Sequence, residues 1–227
     1  MIDNNFSFPE INVSVASGHI CTWTRKIYDI NSDMGMEDVV EFCKLVGHLK
    51  HLPRTGWLYK GIENPETVAA HMYRMAVLTF FLQNEDLDTS RCMKMALVHD
   101  LGESIIGDIT PFDNISAEEK QKREEDAMKK IASLLPAGRG EEVLQLFQEY
   151  EEGKTAVAKF VKDLDKFDMI MQAFEYEMST SRQGQLEEFF HSSTFRTEII
   201  AEWASRVKAL RNENCSNVPQ SSSNSTS

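Results

Sequence analysis

His71, the adjacent pair His99-Asp100, and Asp165 are the residues whose types could share a divalent ion. An imidazole nitrogen and a carboxylate oxygen are both good donors to a hard or borderline cation, and His99-Asp100 offers one of each from a single helix end. That dipeptide alone is ordinary. Its weight comes from His71 and Asp165, each of which interrupts an apolar helical stripe.

The segment from Thr155 to Ser179 reads as one helix, with Ala158, Val161, Leu164, Met169 and Gln172 recurring at spacings of three and four. Asp165 is four residues from both Val161 and Met169, so its carboxylate points to the apolar side. A buried carboxylate without a partner costs several kcal/mol, which calls for a metal ion or a core Lys or Arg. Asp163 has Lys159 and Lys166 at helical spacing and reads as a solvated position, so Asp163→Asn should be nearly silent. Asp168 is ambiguous. His71 lies on the stripe Val68, His71, Met75, Leu78, Leu82, where a lone histidine is either a hydrogen-bonded core residue or a ligand. Taken together, the four residues favour the ligand.

The elements that must position them are all helical. Met36–Leu52 carries Val39, Phe42, Val46 and Leu49; Pro65–Gln83, opened by Asn64-Pro65, carries His71; Thr89–Leu101 ends in His99-Asp100. Ser116 and Glu119 form a capping box that starts a charged, solvated helix to about Leu135. Glu141–Glu152, the Asp165 helix and Thr197–Arg211 complete the set. No segment alternates with the period-two pattern of a strand, so the fold class is all-α. His48 and His51 stand one turn apart with no matched carboxylate and read as ordinary polar positions.

A chain of 227 residues fits one domain, read as 34–211, between a flexible extension over 1–33 and a disordered Ser-rich tail over 212–227. The net charge of −12 argues against a nucleic-acid polymer as ligand, while a small anion held by a metal and a few basic groups stays compatible with it. No apolar run is long enough for a membrane span. Four cysteines without paired spacing, and no leader pattern, point to reduced thiols in the cytoplasm.

The ordered set of His71, His99-Asp100 and Asp165 is the pattern of the HD-domain metal-dependent phosphohydrolases. The segments Pro53-Arg54-Thr55-Gly56-Trp57, Pro65 to Ala76, Gly107-Asp108-Ile109-Thr110-Pro111 and Lys162 to Lys166 further resemble the HD-domain-containing protein 2 family, which is similar to bacterial 5′-deoxynucleotidases. The resemblance runs from about Glu37 to Leu210. It implies an HD-domain helical bundle with a divalent metal site between helices, filled by Mn, Co or Mg, and a homodimer. It also implies hydrolysis of deoxyribonucleoside 5′-monophosphates to deoxyribonucleosides and phosphate. Glu103 and Asp108, otherwise unremarkable acids in a loop marked by Gly102, Gly107 and Pro111, join the active site by the same resemblance. There they handle protons or hold a second ion, together with the carbonyl of Ile109. Arg54 would clamp the phosphate through its planar fork, and Trp57 would stack on or wall in the base or sugar. One departure is Ala70, where relatives carry an acidic residue beside the histidine; an outer contact to the metal site would be weaker for it. No cysteine or serine stands in a nucleophile motif, so water is expected to attack directly. Two other readings stay open: a different HD-type nucleotide phosphohydrolase, and a non-catalytic metal-stabilised scaffold.

Overall fold

The structure is a computed structural model that describes residues 35–82, 87–180, 182–191 and 194–216. The extension expected over 1–33 and most of the tail expected over 212–227 lie outside the described residues. Among the described residues ten α-helices follow in order: α1 Met36–Leu49, α2 Thr55–Tyr59, α3 Val68–Leu78, α4 Thr89–Val98, α5 Glu103–Ile106, α6 Ala117–Ser133, α7 Ala137–Glu152, α8 Ala156–Ser179, α9 Glu187–His191 and α10 Glu198–Ser216. No strand occurs among the described residues; an isolated bridge pairs Pro53 with Thr67.

The all-α expectation holds, and the caps explain the boundaries that moved. The His71 helix starts three residues later than expected. Asn64 sits in the left-handed region (φ 51°), and the cap is Thr67, whose Oγ1 accepts from the backbone N–H of Ala70. Asp88, Ser116 and Thr155 cap α4, α6 and α8 in the same way. Helix α7 begins four residues before Glu141. Gly138 and Gly140 weaken the local helical signal, but packing requires one of them, since a Cβ on Gly140 would lie 2.3 Å from the carbonyl oxygen of Ala132 on α6. The short helices α2, α5 and α9 carry too few residues to show a period.

Helices α3, α4 and α8 pack on one another at the centre, α7 covers α4 and α8, α6 lies on α7, and α10 lies on the far part of α8. Val68, Met75, Met95, Ala96, Val161 and Leu164 are buried between the central three helices. This core fixes the rotation of each helix, and therefore where its polar interruptions point. The loop that carries Arg54 is pinned to the entry of α3 by two backbone hydrogen bonds, Arg54 N to Glu66 O (3.0 Å) and Val68 N to Leu52 O (2.9 Å).

Asp163 is not solvated; the expectation for that side chain is wrong. It is fully buried, and its Oδ2 accepts from Arg196 N (2.6 Å), Thr197 N (2.8 Å) and Thr197 Oγ1 (2.8 Å). The flanking lysines gave the misleading signal: the helix also turns Asp163 toward the chain entering α10, whose first N–H groups need an acceptor. Asp163→Ala should therefore lower stability by about 2–4 kcal/mol, since it strips a charged acceptor from buried donors. Denaturant unfolding measures this. A variant within about 0.5 kcal/mol of the parent, the range of an ordinary surface change, would restore the solvated reading.

Candidate metal centre

His71 enters from the middle of α3, His99 caps the end of α4 with Asp100 just beyond it, and Asp165 comes from α8. Both histidines are buried, and each ring is held by its Nδ1. His71 Nδ1 meets Asp168 Oδ2 at 2.7 Å, and His99 Nδ1 meets the carbonyl of Ala96 at 2.9 Å. Hydrogens donated from Nδ1 to those acceptors leave the Nε2 lone pairs free. His71 Nε2 and His99 Nε2 are buried and make no hydrogen bond. Asp165 Oδ1 stands 3.3 Å from the first and Asp100 Oδ2 3.3 Å from the second, with the rings 5.4 Å apart.

The donor atoms of His71, His99 and Asp165 lie within 4.8 Å of one another. Bonds of about 2.1 Å from one ion span nearly that separation, so small side-chain adjustments would close the set. Asp100 borders it, 3.8 Å from His71 Nε2, and is drawn to Arg54, whose Nη1 donates to its Oδ2 at 3.0 Å. Two orphaned imidazole nitrogens beside two carboxylates fit a divalent cation.

The electrostatics agree. Burial and Arg54 pull the His71 imidazolium down, but the neighbouring carboxylates of Asp165 and Asp168 outweigh them and push its pKa up to about 9. Burial opposes ionisation of Asp100 and Asp165, yet the histidines (and Arg54 beside Asp100) hold both carboxyls well below the usual carboxylate range. The pocket thus concentrates negative charge in need of a cation. Glu103 behaves differently. It is buried, its Oε2 has no hydrogen-bond partner, and burial followed by Asp100 and Asp108 pushes it up to about 10.

Asp168 is the residue whose role the sequence left ambiguous. It is fully buried, holds His71 through one oxygen, and receives Arg74 Nε on the other at 2.5 Å. Arg74 also donates to Glu175 and Gln172, so α3 and α8 are joined by a fan of charge-assisted bonds behind the histidine. Two i,i+3 pairs on facing helices, His71 with Arg74 and Asp165 with Asp168, carried that signal. Ala70, by contrast, is exposed. The outer partner of His71 is Asp168, and the departure at Ala70 leaves that contact intact.

Arg54, Trp57, His99, Asp100, Glu103, Asp108, Ile109 and Asp165 all border one cavity of about 800 Å³. Asp108 Oδ2 accepts from Thr55 N at 2.6 Å, which ties its loop to the start of α2. Trp57 lies at the cavity with its ring covered. It is 3% exposed, packed against Tyr176 and Phe189, and its Nε1 donates to Glu66 Oε1. Sequence reasoning missed Tyr150 of α7. The hydroxyl donates to Asp165 Oδ2 at 2.9 Å and the ring lies 4.9 Å from His99. It also missed Lys120 and Lys162, cations on the cavity wall, of which Lys162 stands 4.0 Å from the centre of the Tyr150 ring. Helix α6 is solvated on one side as expected, but Lys120, Gln121 and Glu124 reach the cavity.

The profile of the HD domain matches residues 46–204. The human protein named 5′-deoxynucleotidase HDDC2 is 45% identical over 185 residues, covering 81% of this chain and 91% of that one. The Schizosaccharomyces pombe protein named 5′-deoxynucleotidase hdd1 is 43% identical over 187 residues, covering 80% and 94%. A solved structure titled as a conserved hypothetical protein from Pyrococcus furiosus superposes with a TM-score of 0.63 at 33% identity, covering 75% of this chain and 99% of that one.

Proposed function

The chain belongs to the HD-domain family, and on that premise we propose that it is a metal-dependent 5′-deoxynucleotidase. It hydrolyses deoxyribonucleoside 5′-monophosphates to deoxyribonucleosides and phosphate, the activity named for its relatives. The observation that carries the reading is the pair of buried, unbonded Nε2 atoms facing Asp165 and Asp100 at the edge of an open cavity.

His71, His99, Asp100 and Asp165 would hold the ion, which we take to be Mn, Co or Mg. A divalent cation supplies Lewis acidity there, lowering the pKa of water and offsetting phosphoryl charge. The protein's own groups do the rest. Arg54, already aligned by Asp100, presents a planar fork to a phosphate. Glu103, whose carboxyl is pushed up to about 10 by burial and by Asp100 and Asp108, would donate a proton to the departing 5′-oxygen; in the alternative role it would be ionised and, with Asp108 and the carbonyl of Ile109, line a place for a second cation. Tyr150 orients the Asp165 carboxylate. We place the enzyme in the cytoplasm and propose that it works as a homodimer; among the described residues no helix is long and apolar enough to cross a membrane.

A cavity of about 800 Å³ accommodates a nucleoside monophosphate. Glu124, Glu151 and Glu188 on its wall are paired with Lys120, Lys162 and Lys60, so the charge that works against the extra phosphates of a triphosphate is that of Asp100, Asp108 and Asp165 at the inner end. Phosphate release should therefore be fast from dAMP, dGMP, dCMP and dTMP and at least tenfold slower from dATP, in a panel run with cobalt, manganese and magnesium. Comparable turnover of dAMP and dATP would favour a different HD-type nucleotide phosphohydrolase. No release from any nucleotide would favour the non-catalytic scaffold.

A further inference from the structure

The substrate's base needs a surface, and Trp57, expected to stack on or wall in the base or sugar, is covered. Trp57 is buried between Tyr176 and Phe189. Of the other large rings that line the same cavity, Phe147 and Tyr150 are buried and Phe189 is half-buried against Trp57, whereas Phe112 is 62% exposed. A single exposed phenylalanine on a surface means little. This one is held in place.

Its loop runs alongside α2 like the second rail of a ladder. At the inner end, Asp108 accepts from the backbone N–H of Thr55. At the outer end, Tyr59 donates its hydroxyl to Asp113 Oδ1 at 2.9 Å and meets the Phe112 ring edge to face, with centroids 5.5 Å apart. The turn between is closed by Thr110, whose N and Oγ1 both donate to Asp113 Oδ2 at 2.7 Å. Gly107, at φ 80°, supplies the left-handed residue that lets the chain leave α5 and turn alongside α2. Thr55 and Tyr59 are four residues apart, a rise of about 6 Å along a helix. The inner rung adjoins Arg54 and so the phosphate end of the cavity; the outer rung stands one sugar's length away.

We propose that Phe112 is the stacking platform for the nucleobase, with Tyr59 as its brace. The proposal rests on the nucleotidase reading and deepens it: the phosphate sits at Arg54 and the metal centre, the deoxyribose spans the ladder, and the base lies on the exposed Phe112 face. Any base has a π-face, so this contact grips purines and pyrimidines alike, purines more strongly for their larger ring.

The test compares Phe112→Ala, Phe112→Leu and Phe112→Trp with the parent enzyme, full length and metal-loaded. The measurements are KM and kcat for dAMP and dCMP, competitive inhibition by deoxyadenosine and by inorganic phosphate, and the calorimetric Kd of deoxyadenosine. In Phe112→Ala the KM for dAMP and the Ki and Kd for deoxyadenosine should rise about tenfold, the scale of one base–aromatic stack, while the Ki for phosphate stays within twofold. Phe112→Leu, which keeps bulk without a ring, should behave like Ala, and Phe112→Trp should bind at least as well as the parent. Unchanged deoxyadenosine binding in Phe112→Ala, a parallel loss of phosphate binding, or full function in Phe112→Leu would overturn the platform. Failure of the parent to hydrolyse dAMP would instead sink the nucleotidase reading, and the calorimetric comparison needs no turnover.

Discussion

His99→Ala and Asp165→Ala are each expected to reduce phosphate release to background and to leave the purified protein without a bound divalent ion. The two residues sit on different helices, α4 and α8, and offer their donors to one point together with His71. Removal of either takes away a ligand and leaves the remaining charges facing one another without a cation. A structural role for the ion should also appear as a lower melting temperature, because an ion held between three helices contributes its binding energy to folding. Asp168→Asn is the graded comparison. It keeps all four ligands but weakens the acceptor behind His71, so metal affinity should fall about 10- to 100-fold, the range for outer-sphere partners of a histidine ligand. Elemental analysis and metal titration read these outcomes. Full activity of His99→Ala or Asp165→Ala in the presence of chelator would end the assignment.

The second large effect concerns turnover with the metal in place. Glu103→Ala should keep the tightly bound ion while kcat falls by about 10²-fold or more, the scale of lost acid–base help. The side chain is buried, unbonded at Oε2 and pushed up to about 10, which suits a group that delivers a proton. Glu103→Gln tests the same point with less change of shape: it preserves volume and hydrogen-bonding capacity but has no proton to transfer, so its kcat should be as low as that of Ala. If elemental analysis found no ion in Glu103→Ala, the residue would be a primary ligand. If Glu103→Gln turned over like the parent, proton delivery would belong to another group.

The sequence by itself determined the helical class and picked out the candidate metal-site residues. Apolar residues at spacings of three and four define α3 and α8, and a histidine or aspartate on such a stripe is exceptional enough to be noticed, because burying it costs free energy unless something binds it. Position within a helix also told which way His71 and Asp165 point, and the structure gathers their donor atoms with that of His99. Local sequence could not supply what depends on a neighbouring element. Asp163 and Asp165 sit two residues apart on one helix and both are drawn inward, one to the N–H groups opening α10 and the other to the histidines. Charge spacing along α8 could not distinguish them, since the partners of Asp163 are Arg196 and Thr197, more than thirty positions away. Trp57 and Phe112 make the same point for the cavity. Both are large rings near the site, and the family resemblance pointed to Trp57 as the ring that stacks on or walls in the base or sugar. Only the packing of Tyr176 and Phe189 shows that Trp57 is covered, and only the bonds between α2 and the loop after Gly107 show Phe112 held by Tyr59 and Lys60 with its ring still 62% exposed. Periodicity reports the face a residue shares with its own helix, whereas exposure and pairing are set by contacts between segments distant in the chain.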